Sequence, residues 1–248
     1  MIPWLIGIPA VLAVLFQFIR NEKARGYIVY AGAGIIMLTT VIFIVNWIDG
    51  GARTWMLYPE TELIDHLMVA GDLFLMCLII YLSVKYGKVL PIILSVVQTV
   101  LVLYTEFTAD VKEGPHMLVD WLTILMCIII AFIGGFICIY TVGYMKGYHN
   151  HHKEVKDRQP FFFSMLFLFL AAMFGLVLSQ NLVWIYFFWE ITSVISFLMI
   201  GYTRSEEAVN NSFCALWMNL LGGLGFAAAI ALMAQLHGTL QLLEVVNI

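Results

Sequence analysis

Glu190 stands in the middle of residues 182–202, LVWIYFFWEITSVISFLMIGY, an otherwise uncharged run of bilayer-spanning length. A carboxylate at that depth costs roughly 2.5–3.5 kcal/mol on insertion scales, so it is expected to face a partner, a cavity or an ion path. Thr192, Ser193 and Ser196 follow it. At helical spacing Ser193 shares the Glu190 face, whereas Thr192 is too close in sequence to do so squarely. Such a polar stripe can hydrogen-bond a neighbouring helix or hold water. Asp72 lies about eight residues into another apolar run, HLMVAGDLFLMCLIIYLSV. These five residues are the candidate ion pathway; for Asp72, packing polarity between helices is the stronger reading.

A carboxyl suits proton transfer because its proton affinity answers to the dielectric around it and the charge beside it. Bringing up or withdrawing a Lys or Arg therefore changes that affinity. No deep basic residue accompanies Glu190: Lys85 and Lys88 flank a turn, and Arg204 lies just past the Glu190 segment. A cation that switches Glu190 is expected on another segment, outside these residues.

The elements that must position these groups are membrane helices. Apolar residues make up 62% of the 248 and charged residues only 11%, more apolar matter than a water-soluble core of this size can use. Eight runs approach the roughly 20 residues that cross a bilayer as helix: 3–19, 27–48, 65–83, 88–106, 119–144, 160–180, 182–202 and 212–235. They are apolar on every face, which argues against barrel strands of alternating polarity. The fold expected is all-α and polytopic, with about eight transmembrane helices. The first run is not a signal peptide in pattern, because its basic cluster Arg20, Lys23 and Arg25 follows it.

Charge placement agrees with that count. Ten of the twelve basic residues fall after odd-numbered runs: Arg20, Lys23, Arg25, Lys85, Lys88, Lys146, Lys153, Lys156, Arg158 and Arg204. Arg53 and Lys112 alone lie in the opposite loops, among Asp49, Glu60, Glu62, Asp110 and Glu113. By the positive-inside rule the protein is a multi-pass cell-membrane protein with both ends of the chain outside and the 145–159 loop in the cytoplasm. The longest polar stretches, 49–64 and 145–159, are too short for a soluble domain.

Several chemistries find no support. Cys77, Cys127, Cys138 and Cys214 occur singly in apolar runs, without the paired spacing of zinc or iron–sulfur sites. Gly134-Gly135 and Gly222-Gly223 lie inside helical runs, where small residues permit close packing and do not make a phosphate loop. His149, His151 and His152 form a basic loop cluster without a fixed outer shell, a weak basis for a metal. His66, His116 and His237, like Asp65, Glu106 and Asp120, stand near outer helix ends, where polar groups reach water. No cofactor, metal or nucleic-acid partner is expected.

The segment Phe187-Phe188-Trp189-Glu190-Ile191-Thr192-Ser193, continued by Ser196-Phe197-Leu198 and Ile200-Gly201, resembles the antiporter-like subunits of multisubunit cation/proton antiporters, membrane-bound hydrogenases and NADH-quinone oxidoreductase (complex I). Asp120-Trp121-Leu122, residues 140–145 (YTVGYM) and 175–182 (GLVLSQNL) precede it, and Gly222-Gly223-Leu224 and Gly238-Thr239 follow in the family's order. The likeness is good from about residue 116 onward and faint before it.

The resemblance implies a partial antiporter-like fold in which Glu190 takes the place of a helix-borne glutamate that pairs with a lysine two helices later. This sequence stops at Ile248, before such a helix, so the expectation is a split subunit completed by another polypeptide. A shortened sequence and a reduced scaffold are the alternatives. Residues 1–106 are read as an amino-terminal four-helix region with an extra helix pair, 65–106, and residues 107–248 as the antiporter-like region. The function implied is a non-catalytic membrane subunit contributing half of a proton or sodium pathway, coupled to redox chemistry or cation exchange, among other integral membrane subunits. A structural adaptor that docks neighbours without conducting ions is the reading from another class.

Overall fold

The computed structural model describes residues 1–19, 21–57, 62–108 and 114–246. Arg20, Glu60, Asp110, Lys112 and Glu113 of the charge pattern lie outside the described residues. The chain is an all-α polytopic membrane protein. In order it forms α1 Ile2–Phe16, α2 Glu22–Asp49, β1 Trp55–Leu57, α3 Glu62–Lys85, α4 Leu90–Thr108, β2 Met117–Val119, α5 Trp121–Ile129, α6 Gly135–His151, α7 Gln159–Leu178, α8 Leu182–Ile200, α9 Glu206–His237 and α10 Leu242–Val246. A single π-helical turn, Ile130–Gly134, joins α5 to α6. Seven described helical segments are long and apolar enough to span, α5 to α6 counting as one. The expected run 3–19 is the shorter helix α1. Large side chains such as Trp4, Phe74 and Phe107 turn outward, as they do when the surrounding solvent is hydrocarbon.

Helix starts follow local chemistry. Asn21 caps α2 by accepting from the amides of Lys23 and Ala24, at 3.0 and 3.3 Å. Asp120 caps α5 through Thr123 N at 2.8 Å, Asn181 caps α8 through Val183 N at 2.8 Å, and Ser205 caps α9 through Ala208 N at 3.2 Å. Each satisfies a first-turn donor that has no intrahelical partner. Gly238, at φ +61°, ends α9 in the left-handed region that glycine enters without strain.

Two boundaries differ from the sequence expectation. Helix α2 starts at Glu22, so Arg25 is not in a solvated loop but inside a helix, 4% exposed. Helix α6 runs on to His151, which places His149 and His151 in its last turn. Gly147 alone does not stop it, since a single interior glycine costs only about 1 kcal/mol.

The helices group into two compact units, 1–55 with 119–178 and 56–118 with 179–248. In the first, α1 packs on α7 and α2, and α2 packs on α6. Its interior is aromatic: Phe16 and Phe167 lie 5.0 Å apart by ring centroid, and Phe43, Trp47, Phe163 and Phe174 are also buried. A Cβ at Gly32 would come within 2.7 Å of Leu12, and one at Gly134 within 2.5 Å of Leu170, so these positions set how closely the helices approach.

In the second unit α4 and α8 both pack on α9, and α3 packs on α4 and α8. Its core is layered. One apolar cluster joins Leu75, Ile79, Leu94, Val194, Phe197 and Leu220, and a separate one joins Val102, Leu182, Tyr186, Ala227 and Ile230. Along α4, α8 and α9 the gap between the clusters falls at Gln98, Glu190 and Gly223. The end of this unit beside α8's first turn is tied by backbone bonds, Gln180 N to His116 O at 2.8 Å and Leu182 N to Leu240 O at 2.9 Å.

Candidate functional site

Between the two apolar clusters lies a polar layer. Glu190 is 5% exposed on α8, at the heart of the unit. Tyr186, one turn earlier on the same face, donates its hydroxyl to Glu190 Oε1 at 2.7 Å. Gln98 of α4 donates its side-chain amide to the same oxygen. Asp72 of α3 is also buried and lies within electrostatic reach of Glu190. Two carboxyls buried so close cannot both carry charge cheaply, so this pair is a place where one proton can be held and passed on.

Four further observations define the geometry. Asp72 Oδ1 and Gln98 Oε1 are buried with no hydrogen-bond partner in the structure. A cavity of about 10 Å³ adjoins Gln98, lined also by Glu190, Ser193, Asn219 and Gly223 among apolar side chains such as Ile79 and Leu220. That is about the space one water needs, with the side chains of Gln98, Glu190, Ser193 and Asn219 as its polar neighbours. A Cβ at Gly223 would meet Gln98 Oε1 at 2.8 Å, so glycine is what lets the amide sit there. On the α3 side, a Cβ at Gly71 would stand 2.6 Å from the Phe187 ring, so glycine one residue before Asp72 brings α3 close against α8.

The five residues expected from sequence divide by placement. Glu190 and Asp72 are both buried within electrostatic reach of each other, and Ser193 is buried with Glu190 on the cavity wall. Thr192 and Ser196 lie off the cavity, their hydroxyls donating to Trp189 O and Thr192 O of their own helix at 2.8 Å each. Ser193 likewise donates to Trp189 O, at 3.1 Å, and lines the cavity with its oxygen still able to accept.

Sequence reasoning passed over Gln98, Tyr186 and Asn219. Gln98 did carry a signal: it is the lone amide in the apolar run 88–106. Helix α4 buries Ser95, Gln98, Thr99 and Thr105 and turns Ile93, Val97, Val100 and Tyr104 outward. This inside-out amphipathicity marks a helix whose polar face meets protein and whose apolar face meets lipid.

Arg25 donates to Gln159 Oε1 at 2.8 Å and lies over the Phe163 ring. His149 approaches Asp157 at 3.7 Å and His152 approaches Glu154 at 3.2 Å, both near the end of α6. The exposed Glu154 carboxyl is held below the usual carboxylate range by its own backbone amide and then by His152.

Comparison with known proteins gives matches to two family models. Residues 108–153 match the family described as NADH-ubiquinone oxidoreductase (complex I), chain 5 N-terminus, and residues 179–248 match NADH:quinone oxidoreductase/Mrp antiporter, TM. Na(+)/H(+) antiporter subunit A1 of Staphylococcus haemolyticus (strain JCSC1435) is 33% identical over 128 residues, 51% of this chain and 15% of that protein. Its counterpart in Staphylococcus aureus (strain Newman) is 34% identical over 116 residues, 46% of this chain and 14% of that protein. The chain therefore spans a small part of the length of the relatives it matches.

Proposed function

We propose that this chain, an antiporter-like protein of the complex I/Mrp superfamily by its matches over 108–153 and 179–248, is a membrane subunit contributing half of a proton or sodium path in a multisubunit cation/proton antiporter complex. The observation that carries this reading is the buried Glu190, held by Tyr186 and Gln98, with Asp72 as its electrostatic neighbour, beside a water-sized cavity midway along α8. None of those three partners is cationic. A cation from a neighbouring integral membrane subunit completes the site, and its approach or withdrawal sets whether Glu190 keeps its proton. Exchange against another cation, or redox chemistry elsewhere in the complex, drives that movement. Both ends of the chain face outside, and the segment between α6 and α7 faces the cytoplasm, as the basic residues direct. Residues 107–248 form the antiporter-like region, and residues 1–106 carry the additional pair α3–α4.

The test is Glu190→Gln in the assembled complex, with ion flux measured in proteoliposomes. Loss of coupled flux with the complex intact supports the reading. Unchanged flux with poor assembly overturns it in favour of an adaptor, whose Glu190 would only fix the orientation of neighbouring helices.

A further inference from the structure

Helix α3 brings Asp72 to Glu190, but the carboxyls of this pair do not end there. Glu106, in the last turn of α4, is half-buried and lies within electrostatic reach of Asp72 on one side and of Asp65 and His66 on the other. Asp65, in the first turn of α3, is fixed by Trp184 Nε1, which donates to Asp65 Oδ1 at 2.8 Å. The His116 ring lies tilted against Trp184, with centroids 4.9 Å apart. These residues sit at the end of the unit where α8 begins and α9 ends.

Helix geometry supplies the spacing. Asp65 and Asp72 are seven residues apart, about 10 Å along α3, and Gln98 to Glu106 is about 12 Å along α4. Between Gln98 and Glu106 the buried face of α4 carries Thr99 and Thr105. The Thr105 hydroxyl donates to Leu101 O at 2.9 Å and keeps its lone pairs free to accept from water. Gln98 Oε1, 1% exposed and without a partner, is an independent sign that the polar line expects a donor: an acceptor buried this deeply is normally met by a group or a water.

We infer that the α3–α4 pair is itself a proton half-channel, in which a proton held between Asp72 and Glu190 exchanges with the outer surface through Glu106 and Asp65 along the polar face of α4. This rests on the reading of Glu190 given above and assigns its outward exit. The carboxyls act by exchange of one proton between neighbours, so no covalent bond to carbon is made or broken. Water bridges the gaps too long for direct contact, and the Thr99 and Thr105 hydroxyls orient it. Val102, on the same buried face between Thr99 and Thr105 and packed in the apolar cluster with Tyr186, is the apolar constriction that the path must pass.

The experiment uses the assembled complex in proteoliposomes and compares coupled flux, normalised to assembled protein, for Asp72→Asn, Asp72→Glu, Glu106→Gln and Glu190→Gln. Asp72→Asn and Glu106→Gln are expected to lose roughly tenfold or more, with Asp72→Glu retaining most of the flux. If both run at the unsubstituted rate while Glu190→Gln is inactive, the exit lies elsewhere and the reading of Glu190 stands. If Glu190→Gln is active, that reading fails first. A second measurement does not depend on flux. With the four native cysteines replaced by serine, Thr99→Cys and Thr105→Cys should react with a membrane-impermeant thiol reagent added outside, and Val100→Cys, which faces outward from the protein, should not. Absence of labelling at both threonine positions overturns the half-channel.

Discussion

The two packing units are made from the same apolar alphabet and bury opposite things. The unit of α1, α2 and α5–α7 fills its interior with Phe16, Phe43, Trp47, Phe163, Phe167 and Phe174, while its buried polar contacts include Arg25 with Gln159 near the starts of α2 and α7. The unit of α3, α4, α8 and α9 interrupts its apolar core halfway and places Asp72, Gln98, Glu190 and Ser193 in the gap. In water both would be cores. In a membrane the difference is notable, because a polar layer costs several kcal/mol there and helix association does not require it. On the function proposed above, the first unit is a frame and the second holds the charge-handling layer.

That contrast can be broken by substitution, starting with the largest effect. Glu190→Gln keeps the shape and the hydrogen bonding to Tyr186 but cannot give up a proton; coupled flux should fall by roughly a hundredfold or more, with thermal stability in detergent nearly unchanged. A large stability loss with residual flux would show that the layer is structural. Phe167→Ala in the frame should do the reverse, destabilising by about 3–5 kcal/mol, read as a lowered melting temperature, while flux per assembled complex holds. Gly71→Val sharpens the boundary: its side chain would collide with Phe187, prise α3 from α8 and cost about 1–3 kcal/mol, and flux should fall with it because Asp72 moves away from Glu190. Tyr186→Phe removes one donor to Glu190 and leaves the ring against Phe226; about 1 kcal/mol of stability and a shifted pH dependence of flux are expected.

The smallest effect belongs to pH at the frame's surface. Glu154 is held below its ordinary value of 4.5, so the contact with His152 is present above that value and is lost as pH falls through the lowered one. Protection of the amides of residues 152–158 from hydrogen exchange, taken relative to the intrinsic rate at each pH, should fall only under such acid conditions. Coupled flux, governed by the other unit, should not follow the same profile.

The span pattern, the depth of Glu190 and the inward face of Ser193 were legible because each follows from length or from helical period along a single segment. The partners of Glu190 were not. Gln98 and Glu190 are 92 residues apart, and a period says which face a residue occupies without saying which helix it meets. Asp72 was visible as deep, yet its meeting with Glu190 depends on Gly71 fitting against Phe187, a contact with no signature in either segment alone. Arg25 was misplaced for a local reason: its charge read as loop, although Asn21-Glu22 ahead of it is a helix start by capping chemistry. The His149–His152 cluster was read as loop on composition, whereas α6 simply continues past Gly147.

The π-helical turn at Ile130–Gly134 makes one spanning segment out of two registers. An added residue per turn rotates everything beyond it by about 100°, so the stripe on α5 that carries Thr123, Ile124 and Cys127 inward does not continue straight into the stripe on α6 that carries Cys138, Thr141 and Met145 inward. Removing a single residue here would return the backbone to plain α-helix with the buried faces of both halves kept, whereas straightening the turn at unchanged length would swing one half of the segment's buried side chains toward lipid. This stretch should therefore accept the loss of one residue more readily than the gain of one.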